Sequence, residues 1–355
     1  MIFTELKYTN DIFKNIPPEF ISIPSNKNIS VNLNMSKFVE SLRESKDVFE
    51  RKFGNISSFN FTHDVFYSGK WNDLSKTARG LFINTDSEEI IARGYEKFFN
   101  YEEKQFNRKS WLKENLEFPV VAWNKYNGYL GLLGYDKARS DNKLIFCSKS
   151  SPESDFANWF KEIFYNKING DINEYIKSLE EYLDKENLCL IFEVIDPIND
   201  PHIIKYDNSN IVLLGALKRS IKFEEVEYLH LCKIAGKFGW NVKEKYQIFN
   251  NWKDLEIFIE KISTDMDSQV EGFVIEDQNK YMFKLKGKFY KTWKMLRSLK
   301  DQIGKGRTLK MGFAQTPLEN YFIAWCKKQD RQFLLDSDII KLRTAFFTEF
   351  KSLNL

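Results

Sequence analysis

Between Leu81 and Lys286 the chain breaks into short apolar runs, each about the length of one strand, and the stretches between several of them carry apolar residues at helical spacing. The runs are LFIN (81–84), EIIARGYEKFF (89–99), VVAW (120–123), YLGLLGY (129–135), KLIFCS (143–148), LCLIFEVI (188–195), HIIKY (202–206), NIVLLGA (210–216), EGFVIE (271–276) and YMFKLK (281–286). Short runs rich in β-branched and aromatic residues, bounded by turn residues, read as strands. Over 155–168, Phe156, Trp159, Phe160, Ile163 and Phe164 recur every three or four residues, as do Ile172, Tyr175, Ile176, Leu179 and Leu183 over 171–183. That period predicts amphipathic helices. Segments 36–53, 223–238 and 252–262 read the same way. The alternation predicts an α+β fold of antiparallel sheets flanked by helices.

After Lys286 the pattern turns helical. A basic helix is expected over 289–303 and a last helix over 338–353. Thr316-Pro317-Leu318-Glu319 has the form of a capping box, with Thr316 as N-cap, Pro317 at the first helical position and Glu319 reaching back. The expected divisions are 1–57, a mixed N-terminal segment packing on the catalytic domain; 58–290, the catalytic domain; and 291–355, a small helical domain.

Composition narrows the function classes. With 43% hydrophobic residues and 32 Phe, the chain has ample material for a packed core and is not a disordered segment. A formal net charge of +3 permits a nucleic-acid partner without demanding one, so any basic surface must be local. Cys147, Cys189, Cys232 and Cys326 lie far apart, and His63, His202 and His230 are scattered, which argues against a zinc site or a disulfide framework. The N-terminal MIFTELKYTN lacks the basic head and apolar core of a signal peptide, and no apolar run reaches membrane-spanning length. A cytoplasmic monomer with no membrane partner is the expectation.

The chemistry starts at NKYNGYLGLLGY (124–135), where Lys125 is the one charge at the entrance of an apolar hairpin. Alone this is ordinary: a lysine beside an Asn-Gly turn occurs by chance about once in several proteins of this size. Other charges make it less ordinary. Glu193 lies inside LCLIFEVI, Glu271 opens EGFVIE, and Lys284 and Lys286 share one face of YMFKLK. Lys149 follows KLIFCS, Arg79 precedes LFIN, and Lys97 lies in EIIARGYEKFF. One such residue belongs on a wet strand face. The set, recurring at strand ends and beside glycines, would repel itself in a cleft unless an anion bound there.

A nucleoside triphosphate with Mg²⁺ or Mn²⁺ is that anion. Lys125 would attack the α-phosphorus of ATP. A free lysine titrates near 10.4, so its amine is mostly protonated at neutral pH. Crowding by Lys149, Lys284 and Lys286 in a partly desolvated pocket is expected to favour the neutral amine. Asn127-Gly128 would form the tight turn that holds Lys125, with Gly128 letting the backbone approach the nucleotide. Glu193 and Glu271 would offer hard oxygens to the metal, and Glu193 could also accept a ribose hydroxyl.

Taken in order, these residues resemble the covalent nucleotidyltransferase superfamily of RNA ligases, DNA ligases and mRNA capping enzymes. Lys125-Tyr126-Asn127-Gly128 matches its first motif, IFEV with Glu193 its third, EGFVI with Glu271 its fourth, and KLK with Lys284 and Lys286 its fifth. Within the superfamily the chain is most similar to the bacteriophage RNA ligase 1 type, which shares features with fungal tRNA ligases. The upstream pair ARGLFIN and ARGYEKFFN carries that similarity. It implies that Arg79 and Lys97 engage ATP phosphates, and Ser-Lys-Ser at 148–150 resembles a further element centred on Lys149. The resemblance covers about 58–290; the helical tail is similar only in kind. Phe61 stands where the family often carries tyrosine, so it is expected only to wall the pocket.

The resemblance implies an ATP-dependent ligase that joins RNA 5′-phosphate and 3′-hydroxyl ends through lysyl-AMP and an adenylylated RNA end, a broken tRNA among its substrates. A capping guanylyltransferase or DNA ligase would normally place an OB-fold barrel after KLK. A catalytically silent RNA-binding module would rest on KGKFYKTWKMLRSLK (286–300), whose aromatics could stack bases unless they pack inward. The sequence holds no Gly-x-x-x-x-Gly-Lys-Ser/Thr, so a separate end-healing enzyme is expected wherever RNA ends need it.

Overall fold

A computed structural model describes residues 34–309 and 316–352. In chain order its strands are β1 Val48–Phe53, β2 Ile56–Phe61, β3 Leu81–Asn84, β4 Glu89–Ala92, β5 Val120–Lys125, β6 Tyr129–Tyr135, β7 Leu144–Cys147, β8 Leu188–Ile195, β9 Asn210–Lys218, β10 Asn241–Val242, β11 Lys245–Phe249, β12 Gly272–Glu276 and β13 Met282–Lys286. They form three sheets, ordered β1-β2-β3-β4, β10-β9-β8-β6-β7 and β11-β5-β12-β13. Their pairs are antiparallel apart from the short parallel pair of β9 with β10.

Alternation along the strands decides what each face buries. In β8, Leu188, Leu190, Phe192 and Val194 face the helices Asp155–Tyr165, Ile172–Lys185 and Tyr228–Phe238. Cys189 and Ile191 face the other way and pack with Phe82, Ile91 and Ala92 of the first sheet. Glu193 shares their parity, so a charge reaches the seam between two sheets. The third sheet buries Ala122, Phe273, Ile275, Phe283 and Leu285 against the helices Lys109–Asn115 and Trp252–Thr264.

The tail packs its helices Lys288–Gly304, Pro317–Lys328, Arg331–Asp336 and Ile339–Ser352 around Trp293, which is 1% exposed. The capping box is present: the Glu319 N–H donates to Thr316 Oγ1 at 3.3 Å, and Glu319 Oε2 accepts from the Thr316 N–H at 3.1 Å. Phe289, Tyr290 and Trp293 all face this core, so they are not a base-stacking row.

Four expectations change. The helix expected over 36–53 is Met35–Glu44, capped by Asn34; the rest is β1, which pairs with β2. The strand expected over 89–99 ends at Ala92. Beyond it the chain runs extended between sheets: Lys97 N–H donates to Lys76 O at 3.0 Å and Lys284 N–H to Phe99 O at 2.9 Å. HIIKY is not a strand, because the Ile203 and Ile204 amides donate to the Asn127 side chain while their side chains join the tail core. Finally, 124–135 is no hairpin. β5 pairs with β11 and β12, whereas β6 pairs with β7 and β8, so the chain crosses from one sheet to another at Asn127-Gly128.

Candidate nucleotide-binding active site

Lys125 ends β5 directly opposite Gly272 of β12, and Gly272 in turn lies opposite Lys286 of β13. Glu271 immediately precedes Gly272. The Gly272 backbone has φ +139°, and a Cβ there would lie 2.0 Å from the Leu285 carbonyl oxygen, so glycine is required for β12 to meet β13 at this point. The result is an ion pair of 2.8 Å between Lys125 Nζ and Glu271 Oε1, with the lysine side chain 19% and the glutamate 5% exposed.

Asn127 is the hub. Its Nδ2 donates to Glu271 Oε2 at 3.0 Å, its Oδ1 accepts from the Ile203 and Ile204 amides at 3.0 and 3.1 Å, and its own N–H donates to Tyr206 Oη at 3.0 Å. The next amide, Gly128 N–H, donates to Glu193 Oε1 at 2.9 Å. A Cβ on Gly128 would lie 2.0 Å from the Val194 carbonyl oxygen. The glycine is therefore required by strand β8, a different reason from the expected approach to a nucleotide.

The cations gather on the other side. Lys284 Nζ donates to Phe98 O at 3.1 Å and lies 4.2 Å from the centre of the Phe98 ring. Burial pushes its amine well below the lysine range, and Arg79, Lys97, Lys125 and Lys286 push it further. Lys149 lies 4.5 Å from the centre of the Phe61 ring. Desolvation, then Arg79 and Lys97, bring it down to about 8. Lys286 is likewise brought to about 8, by burial and then by Lys294, with Glu271 opposing. Lys97 stands over the rings of Phe99 and Trp71 and is lowered by burial and by Arg79. Arg79 reaches the Tyr95 carbonyl at 3.5 Å and feels the Glu193 carboxylate. The structure thus brings Arg79, Lys97, Lys125, Lys149, Glu193, Glu271, Lys284 and Lys286 into one electrostatic cluster, with Gly128 at its edge and Phe61 as a wall beneath Lys149.

One expectation is reversed. Lys125 is not kept neutral by its cationic neighbours. Burial pushes its amine down, but the Glu271 and Glu193 carboxylates outweigh that and hold it above the ordinary lysine range. The depressed amines are Lys149, Lys284 and Lys286 themselves. The one carboxylate at hydrogen-bonding distance, Glu271, decides the charge of Lys125, with the Glu193 carboxylate adding to it through space.

The two glutamates also bear on a metal. Burial raises the Glu193 carboxyl, and the nearby Glu271 raises it further. Among the described residues no cluster of three or more His, Cys, Asp or Glu side chains forms a ready-made metal site. Two carboxylates suit a hard divalent cation whose remaining positions are filled by phosphate oxygens and water.

Sequence reasoning missed several partners. Tyr206 and Arg343 gave no signal, being far from any motif. Arg343, on Ile339–Ser352, donates from Nη1 to the Ile203 carbonyl at 3.0 Å and stacks 4.9 Å from the centre of the Phe289 ring. Tyr290 stands in the first turn of the helix that follows Lys286, whose Nζ lies 5.4 Å from the centre of its ring; burial and Glu271 push its hydroxyl up to about 12.

Among known proteins, a tRNA ligase of Candida albicans (strain SC5314 / ATCC MYA-2876) is 26% identical over 327 residues, covering 78% of this chain and 38% of that protein. The chain thus spans less than half the length of that relative. Two solved structures share the fold. A protein described as an ATP-dependent DNA ligase from Aquifex aeolicus superimposes with TM-score 0.51 at 14% identity, covering 88% of this chain and 77% of that one. An archaeal ATP-dependent RNA ligase does so with TM-score 0.50 at 13% identity, covering 87% and 73%. The family model described as RNA ligase matches residues 77–290, from just before Arg79 to the first turn of the helix after the Lys286 strand, and the chain belongs to that RNA ligase family.

Proposed function

We propose that the protein is an ATP-dependent RNA ligase that works through lysyl-AMP, with Lys125 as nucleophile. The observation that carries this reading is the placement of Lys125, 2.8 Å from Glu271 and two residues before the Asn127 hub, in one electrostatic cluster with Glu193 and the cations Arg79, Lys97, Lys149, Lys284 and Lys286. Lys125 Nζ, once deprotonated, forms a bond to the α-phosphorus of ATP while the bond to the bridging oxygen breaks and pyrophosphate leaves. An oxygen of the RNA 5′-phosphate then displaces the lysine and takes AMP. The 3′-hydroxyl attacks that phosphate, the phosphodiester forms, and AMP departs.

Arg79, Lys97, Lys149, Lys284 and Lys286 bind and orient the phosphates and spread the departing charge. Glu193 and Glu271 would hold Mg²⁺ or Mn²⁺. A bound divalent ion draws off the negative charge of both carboxylates and of the phosphates. Adenylation is assigned to the region 58–290; of the segment 1–57, β1 and the start of β2 complete its first sheet, and 1–33 lie outside the described residues.

RNA as substrate, with broken tRNA in particular, rests on the family and on the tRNA ligase relative. The protein is proposed to act as a monomer in the cytoplasm, alongside a separate end-healing enzyme. No helix among the described residues is long and apolar enough to cross a membrane.

The test is transfer of label from α-labelled ATP to the protein, followed by sealing of 5′-phosphate RNA. Lys125→Ala should abolish label transfer. Label retained by that variant would refute the assignment, and faster sealing of nicked all-DNA duplex than of RNA would redirect the substrate.

A further inference from the structure

The aromatic residues that the tail sequence offers for base stacking are buried, yet an exposed aromatic pair stands elsewhere. The helix His63–Ser68 buries Val65, while Phe66 is 54% and Tyr67 79% exposed. Their rings are in edge contact at 5.3 Å, and Phe66 lies parallel to Phe61 at 6.3 Å. Phe61 is the ring beneath Lys149, and it packs at 4.8 Å on Trp71, over which Lys97 stands. The apolar surface therefore continues without a break into the cations assigned to phosphate.

The presenting element is fixed at both ends. Thr62 caps its N-terminus, Gly69 in the left-handed region caps its C-terminus, and Lys104 Nζ donates to the Gly69 carbonyl at 3.0 Å. Asp64 is the helix's one acidic side chain, and Lys70 and Lys104 flank it in sequence and space. Large rings held out in water on a braced support, next to the cations Lys149 and Lys97, match the chemistry of a single-stranded nucleic acid. Bases stack on aromatic faces while the backbone follows positive charge.

We propose that Phe66 and Tyr67 form a stacking platform for the bases of a single-stranded RNA end, which places its phosphates toward Lys149 and Lys97. The proposal deepens the ligase reading by naming where the RNA docks. It predicts that the platform serves RNA binding and the later steps, and that ATP-dependent labelling of Lys125 does not need it.

The test uses the full chain and a fluorescent 5′-phosphate RNA oligonucleotide without secondary structure. Stacking of one base contributes about 1–3 kcal/mol, so Phe66→Ala/Tyr67→Ala should weaken RNA affinity by about 5- to 140-fold, with tenfold per 1.4 kcal/mol. Label transfer from ATP without RNA should fall by much less. Phe66→Leu/Tyr67→Leu, which keeps apolar bulk but removes the π-faces, should show the same loss, and Phe66→Trp/Tyr67→Trp should restore binding. Unchanged RNA affinity in both the alanine and leucine variants would overturn the proposal, as would absence of RNA binding by the parent protein. A parallel loss of label transfer in both variants would also overturn it, since the rings would then be supports of the fold. Failure of the parent to form lysyl-AMP while it still binds RNA through these rings would instead defeat the ligase reading and leave the platform standing.

Discussion

Lys125 faces opposing requirements. As the proposed nucleophile it must lose a proton, yet Glu271 and Glu193 hold that proton in place. Removing the nearer carboxylate should leave burial as the dominant influence, so Glu271→Gln should lower the Lys125 pKa. A ¹³C NMR titration of the reductively methylated lysine measures this, and an unchanged or higher value would refute the proposed balance. The same substitution should cut label transfer by about 10²-fold or more, because the divalent ion proposed to bind there would lose a charged oxygen ligand.

The neighbouring amines behave oppositely. Lys149 and Lys286 titrate near 8 in the folded protein and near 10.4 when unfolded. Between those values the unfolded chain binds more protons, so they add to stability as pH rises through that window. Pyrophosphate bound among them should raise both, with proton uptake at pH about 8. Calorimetry in two buffers of different ionisation enthalpy reads that uptake directly; proton release would contradict it. Such effects were not legible in the sequence. The spacing of Lys125, Glu193, Glu271, Lys284 and Lys286 identified a cluster, but which charges lie at 2.8 Å and which lie farther away depends on strand register. That is why the sign of the Lys125 shift was expected wrongly.

At the level of elements, alternation and helical spacing located most strands and helices, because each buries one face in a core. The errors fall where the backbone bonds to something other than a neighbouring strand. HIIKY has the composition of a strand, but its amides meet the Asn127 side chain. Asn-Gly suggested a turn within one sheet, whereas Gly128 marks contact with β8 of another. Gly128→Ala should therefore cost about 1–3 kcal/mol of stability, as overpacking of a tight contact does. Denaturant unfolding measures the cost, and label transfer should fall with it. A variant as stable as the parent would show that β8 yields easily.

For the molecule as a whole, the tail is tied to the active centre through one chain of hydrogen bonds: Arg343 to the Ile203 carbonyl, the Ile203 amide to Asn127, and Asn127 to Glu271. Arg343→Met keeps much of the stacking bulk on Phe289 and Trp293 but removes the donor. Leaving that buried carbonyl without its charged partner should cost about 1–3 kcal/mol. If the chain of contacts positions Glu271, the label-transfer rate at saturating ATP should also fall, with less change in the ATP concentration needed for half-saturation, and Arg343→Lys should recover part of it. A loss of stability alone would confine Arg343 to packing.

The crossing at Asn127-Gly128 has a mechanical consequence. Lys125, Glu271, Lys284 and Lys286 ride on one slab of the protein, while Glu193 rides on another; beside the site the chain stitches the two together at Asn127-Gly128, and it joins them again at Lys243-Glu244 between β10 and β11. Rotation of one slab against the other would leave the Lys125–Glu271 pair intact and change the distance from the amine to Glu193. A nucleotide gripped from both sides would work as a clasp across that stitch.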